Sequence, residues 1–107
     1  MVIRQYEIHW IDLDSTRGAE MKKTRPCAIL SPNEMNIHLN TVLIAPITST
    51  GKDWPTRISI EMDGRPGWLV LDQIRCVDRE RLVKKTGRLQ PKTVQAVKRV
   101  LREMLVD

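Results

Sequence analysis

The sequence predicts a mainly β domain with one closing helix (β+α), built as a small, strongly bent antiparallel sheet or barrel. Three observations carry this. At least five short runs of apolar or alternating residues recur between Tyr6 and Asp78, with turn residues between them. After Pro91 the apolar spacing changes from two to three and four, the mark of an amphipathic helix. At 107 residues the chain is the size of one domain, taken as 1–107, with no internal repeat.

Tyr6 to Ile11 alternates before both faces turn apolar, which predicts a half-buried strand with His9 facing away from Ile8 and Trp10. A lone strand histidine reads as a surface or satisfied group. Asp12 to Gly18 is a loop by its turn residues. Pro26 to Leu30 is the second strand, and Pro26 biases Arg25 to an extended backbone, giving its side chain a defined direction. Ser31 to about Asn40 reads as a polar connection. Thr41 to Ile47 is nearly continuously apolar and β-branched, as a strand buried on both faces requires. Thr48-Ser49-Thr50 then places three hydroxyls at its rim before Gly51. Lys52 to Thr56 is loop, with Trp54-Pro55 expected to fold back over apolar surface.

Arg57 to Met62 alternates, with Ile58 and Ile60 on one face. Asp63-Gly64 signals a turn, which Arg65-Pro66-Gly67 is expected to lengthen beyond two residues. Trp68 to Asp78 reads as one further strand, interrupted by Asp72 and Gln73. A carboxylate beside a core must be paired or hydrogen-bonded, so Asp72 either meets a cation such as Arg25 or is turned outward by a bulge. Arg79 to Lys85 reads as a short turn of helix, ended by Gly87. Pro91 suits the first position of the last helix. There Val94, Val97, Val100, Leu101, Met104 and Leu105 form the apolar stripe, opposite Lys92, Lys98, Arg99 and Arg102.

Charge is unevenly placed. Nine of the 18 Lys/Arg lie between Arg79 and Arg102 against one acid, Glu80, so a net +5 chain carries one strongly basic segment. Such a face suits an anionic partner or simply keeps a small protein soluble. Phe is absent and only Tyr6, Trp10, Trp54 and Trp68 are aromatic, too few for a surface that binds single strands by stacking alone. Cys27 and Cys76 lie in separate apolar runs and read as free thiols. With no signal peptide ahead of Tyr6 and no apolar run near the ~20 residues of a membrane span, the expected location is cytoplasmic. The isolated cysteines and histidines (His9, His38) make zinc or any other metal centre unexpected. No phosphate loop or nucleophile elbow is present. The remaining polar groups at strand ends are Glu20, Arg25, Thr48, Asp72, Gln73 and Arg75.

The order Ile8-x-Trp10-Ile11-Asp12-Leu13-Asp14, Gly18-x-Glu20, Arg25-Pro26, Leu30-Ser31-Pro32, Pro46-Ile47-Thr48-Ser49 and Asp72-Gln73-Ile74-Arg75-x-Val77-Asp78 resembles the MazF/PemK toxin family over nearly the whole chain. The resemblance implies an SH3-like small barrel of about five to seven antiparallel strands with a C-terminal helix (CcdB/PemK-like), forming homodimers. It also implies the toxin of a toxin–antitoxin module: a cofactor-free, sequence-specific endoribonuclease cutting single-stranded RNA, silenced by an acidic antitoxin. DNA would be met only through that antitoxin, and membranes not at all. Arg25 stands at the family's catalytic arginine, Thr48 at its catalytic threonine, and Asp72 at an acid catalytic in some members. Three positions depart from the family: Ala19 for an assisting histidine, Ser15 for a proline and Lys23 for a glycine.

Metal-free cleavage of RNA requires a group to take the 2′-hydroxyl proton, and Asp72 or Glu20 is the expected base, unless these carboxylates only hold Arg25. Lys52, Arg57, Gln73 and Arg75 are expected along the RNA. Two readings compete with this one: a gyrase-poisoning toxin like the CcdB family, and a plain SH3-like interaction module.

Overall fold

A computed structural model describes residues 1–13 and 24–107. Its elements are β1 (Glu7–Asp12), β2 (Thr24–Ile29), α1 (Asn33–His38), β3 (Thr41–Thr48), β4 (Arg57–Met62), β5 (Arg65–Val70), β6 (Arg75–Asp78), β7 (Leu82–Arg88) and α2 (Pro91–Leu105). The strands run β4-β5-β3-β2-β1-β7, with β6 also on β3, and every pairing is antiparallel. One edge of β3 is shared lengthwise between β6, along Thr41–Ile44, and β5, along Ile47–Thr48. That sharing bends the sheet into the expected part-closed barrel.

The bend creates two cores, and side-chain alternation feeds both. Ala28, Leu30, Ala45 and Ile47 enter the core beneath α2, where Val97 and Val100 are buried. Their neighbours Cys27, Ile29, Val42 and Ile44 enter the opposite core, closed by Ile3, Val77 and Leu82. This double burial is why β2 and β3 read as unbroken apolar runs. Met104 and Leu101 pack on the first core as the helical stripe predicts, whereas Leu105, the last residue of the helix, is 65% exposed.

Several local readings are corrected. The polar connection after Ser31 contains α1, and Asn36 is buried there. It exchanges hydrogen bonds with Ser31, whose hydroxyl also accepts from the Leu43 N–H at 3.1 Å. The β4–β5 turn is a two-residue hairpin, with Met62 opposite Arg65. Asp63 and Gly64 adopt φ of 52° and 75°, the left-handed pair such a turn demands. The strand expected from Trp68 to Asp78 is broken by a 3₁₀ turn at Leu71–Gln73. Arg79 to Lys85 is not helical throughout: a 3₁₀ turn at Arg79–Arg81 leads into β7, and Gly87 lies inside that strand, paired with Ile8. Trp54 is not folded down into the protein but is 63% exposed. Cys27 is buried and Cys76 exposed, both as free thiols.

His9 is fully buried and its Nε2 lies 3.1 Å from Glu7 Oε1. The same oxygen accepts the Arg4 N–H at 2.9 Å, while Lys85 Nζ is 2.9 Å from Oε2. Burial alone raises the Glu7 carboxyl, but the Arg4 N–H, Lys85 and His9 outweigh it and hold the group at about 2. Among the described residues no helix is long and apolar enough to cross a membrane.

Because the folded Glu7 titrates below its ordinary value of 4.5, its ionisation stabilises the fold above that pH, and the contribution is lost as pH falls towards 2. Glu7→Gln is expected to lower the unfolding free energy at pH 7 by on the order of 2 kcal/mol. In urea melts the gap from the unmodified protein should close between pH 4.5 and 2.

Candidate active site

β2 and β3 pair with Cys27 opposite Pro46, Ala28 opposite Ala45 and Ile29 opposite Ile44. Two residues further along the same register, Arg25 falls across from Thr48. Both line a cavity of about 520 Å³ with Leu13, Pro46, Thr50, Gly51, Arg57, Val70, Gln73 and Arg75. Five of the residues singled out in the sequence therefore meet at one place: Arg25, Thr48, Arg57, Gln73 and Arg75. They come from β2, β3, β4, the 3₁₀ turn and β6.

Among the described residues the guanidiniums of Arg25 and Arg75 have no ion pair, and both residues are exposed. Their charge is available to an anion. It also acts on Cys27: burial pushes that thiol up to about 12, against the pull of Arg75 and Arg25, so it stays protonated and unreactive. Thr48 Oγ1 accepts the Thr50 N–H at 3.2 Å, and the two hydroxyls lie 3.2 Å apart. This ST-type turn orients the Thr48 oxygen and leaves a hydroxyl proton for a ligand.

Arg57 is held from two sides. Its Nε sits 3.5 Å from Asp72 Oδ1, within ion-pair range but without hydrogen-bond geometry. Gly51, at φ 124°, leaves room for the guanidinium: a Cβ there would stand 3.1 Å from Nη1. Asp72 also accepts the Thr56 hydroxyl at 2.8 Å. Partial desolvation raises the Asp72 carboxyl, but Thr56, a backbone N–H and Arg57 outweigh it and hold it below the usual carboxylate range. The cation of Asp72 is thus Arg57, not Arg25, because the 3₁₀ turn swings residue 72 toward β4. Asp72 braces the cavity from outside its lining.

Lys52 is exposed in the following loop and lines no wall of this cavity. Glu20 lies outside the described residues, as do Ser15, Ala19 and Lys23. Among the described residues no three His, Cys, Asp or Glu side chains gather where they could hold a metal ion. Leu13, Pro46 and Val70 were not singled out as site residues, since apolar side chains at strand ends look like core in a sequence. Thr50 and Gly51 were legible only as a rim.

A curled sheet with a terminal helix and an arginine-lined cavity at its strand ends makes a small scaffold suited to an anionic ligand. The chain belongs to the family of PemK-like, MazF-like toxins of type II toxin–antitoxin systems, whose model matches residues 4–105. It is similar to the endoribonuclease toxin MazF of Escherichia coli K12, 30% identical over 93 residues, covering 86% of this chain and 84% of that protein. The endoribonuclease MazF of Staphylococcus saprophyticus is 28% identical over 102 residues, covering 90% and 85%. A MazE–MazF structure from Deinococcus radiodurans superposes with a TM-score of 0.84 at 23% identity, covering 98% of this chain and 96% of that one. A mycobacterial endoribonuclease in complex with its cognate antitoxin gives 0.82 at 21%, covering 96% and 94%. These structural likenesses establish the shared fold.

Thr48 is kept in place by the close approach of β5. A Cβ on the buried Gly67 would lie 3.0 Å from the Thr48 carbonyl oxygen, a backbone atom that cannot easily give way. Gly67→Ala is expected to destabilise the protein by about 1–3 kcal/mol, as overpacking does, read as a lower urea midpoint with an unchanged m-value.

Proposed function

We propose that this protein is the toxin of a type II toxin–antitoxin module and acts as a metal-independent, sequence-specific endoribonuclease on single-stranded RNA. The observation that carries the reading is the convergence of Arg25, Thr48, Arg57, Gln73 and Arg75 on one cavity. The family membership and the relatives named endoribonuclease support it.

RNA carries its own nucleophile, and the protein's work is positioning and charge. The 2′-oxygen gives up its proton and attacks the adjacent phosphorus, the 5′-oxygen leaves with a proton taken from water, and the products are a 2′,3′-cyclic phosphate and a 5′-hydroxyl. Extra negative charge develops on the non-bridging oxygens. Arg25 is assigned to them, since the guanidinium fork matches two phosphate oxygens at once. Thr48 adds a hydroxyl donor. Donors aimed at developing charge are often the largest catalytic contribution, with a single one worth roughly 2.7–4 kcal/mol elsewhere. Arg57, Gln73 and Arg75 hold the flanking strand, with Lys52 nearby in solvent.

A carboxylate whose pKa is pulled down is a weak base at neutral pH. The lowered Asp72 therefore favours a positioning role through Arg57, and Glu20 is the carboxylate proposed to take the 2′-proton. The basic segment after Arg79 is proposed to meet an acidic antitoxin, and the active form is proposed to be a homodimer. A gyrase-poisoning or purely adhesive role would leave Arg25 and Arg75, unpaired among the described residues, without work in the cavity they share with Thr48.

With EDTA present, the protein should cut a long mixed-sequence RNA at one short recurring sequence. Arg25→Ala should lower the rate by at least about 100-fold, and a 2′-deoxy substitution at the cut position should abolish cleavage. Intact RNA with folded wild-type protein would refute the assignment. Asp72→Asn should slow cleavage several-fold while leaving the shape of the pH–rate profile between about pH 3 and 9 unchanged; loss of the acidic limb, where the rate falls as the base is protonated, would instead make Asp72 the base.

A further inference from the structure

Arg25 and Thr48 line not one groove but two. On their far side lies a second groove of about 740 Å³, walled by Trp10 of β1 and by Met62, Asp63 and Arg65 of the β4–β5 hairpin. The Arg25–Thr48 pair is thus a ridge between two depressions. A single strand whose phosphate rests on that ridge must lay one neighbouring nucleotide to each side.

We propose that this second groove seats the nucleobase next to the cleaved phosphate, stacked on Trp10, and that Asp63 makes it select guanine. The inference rests on the ribonuclease reading above and adds a base-selecting subsite to it. Trp10 is half-buried, with its indole open to the groove rather than enclosed in either core. An aromatic face accepts any base, so stacking supplies affinity without choice. Choice among unpaired bases comes from hydrogen bonds to their Watson–Crick edges.

Asp63 provides such a reader. Its carboxylate has no ion pair or hydrogen bond among the described residues, and among these it is the one acid lining a groove that also holds two guanidiniums, Arg25 and Arg65. Ionised, it is an acceptor-only group with two oxygens. Guanine alone among the four bases presents two adjacent N–H donors, N1–H and N2–H, on that edge. Adenine and cytosine offer one amino group, and uracil one imino group. Arg65 beside it balances the charge and faces the phosphates. The hairpin does not need a carboxylate here: it requires only the left-handed backbone at residue 63, which Asn adopts at least as well.

That equivalence makes Asp63→Asn a clean test. A random-sequence RNA is cut by the wild-type protein and by Asp63→Asn, and the ends are sequenced. Guanine should dominate at one position flanking the wild-type cut. Asp63→Asn should lower the preference for guanine over adenine there by about tenfold, the scale of one bidentate base contact, with the other positions unchanged. Trp10→Ala should weaken cutting for all four bases at that position alike. Cleavage by both proteins with the same flanking profile would overturn the subsite and leave the ribonuclease reading standing. A folded wild-type protein that cuts nothing would overturn both.

Discussion

The candidate site depends on the register between β2 and β3. Both strands are buried on both faces, so a slip of one residue would carry Cys27, Ile29, Val42 and Ile44 into the wrong core along with their neighbours. Two cores thus hold a single alignment, and that alignment sets Arg25 across from Thr48. Pro26 and Pro46 lack N–H donors, and the β2–β3 pairing ends at Cys27 opposite Pro46. The strands part at their ends, and polar side chains occupy the opening.

Around that opening, charge is handled in two ways. Deep in the sheet the ionisable groups Glu7 and His9 are tolerated because they are paired, Glu7 with Lys85 and a backbone N–H as well as with His9. At the rim Arg25 and Arg75 are left unpaired among the described residues, while Arg57 is steadied by Asp72 and by the space that Gly51 leaves. A cavity with several guanidiniums and one bracing carboxylate outside it is preorganised for an anion.

Much of this is legible in the sequence. The alternation at Arg57–Met62, the unbroken run at Thr41–Ile47 and the stripe from Val94 to Met104 are local periodicities, and each became the expected element. The failures were local too. Leu82–Arg88 is a strand in spite of its charges and Gly87, because pairing with β1 overrides weak propensity. Asn33–His38 is a helix whose buried Asn36 is satisfied by Ser31, an arrangement that no periodicity announces.

By itself the sequence determined the class of fold, the Arg25–Pro26 and Thr48 positions, and their likeness to a toxin family, since these follow from residue type and order along the chain. Tertiary structure alone decided that Asp72 answers to Arg57, that Lys52 stands apart, and that Trp10 shares a groove with the Asp63 hairpin. Those relations join residues some 15 to 50 positions apart. They depend on where β3 divides one edge between β5 and β6, and on a 3₁₀ turn at residue 72, which long-range pairing sets and local sequence does not encode.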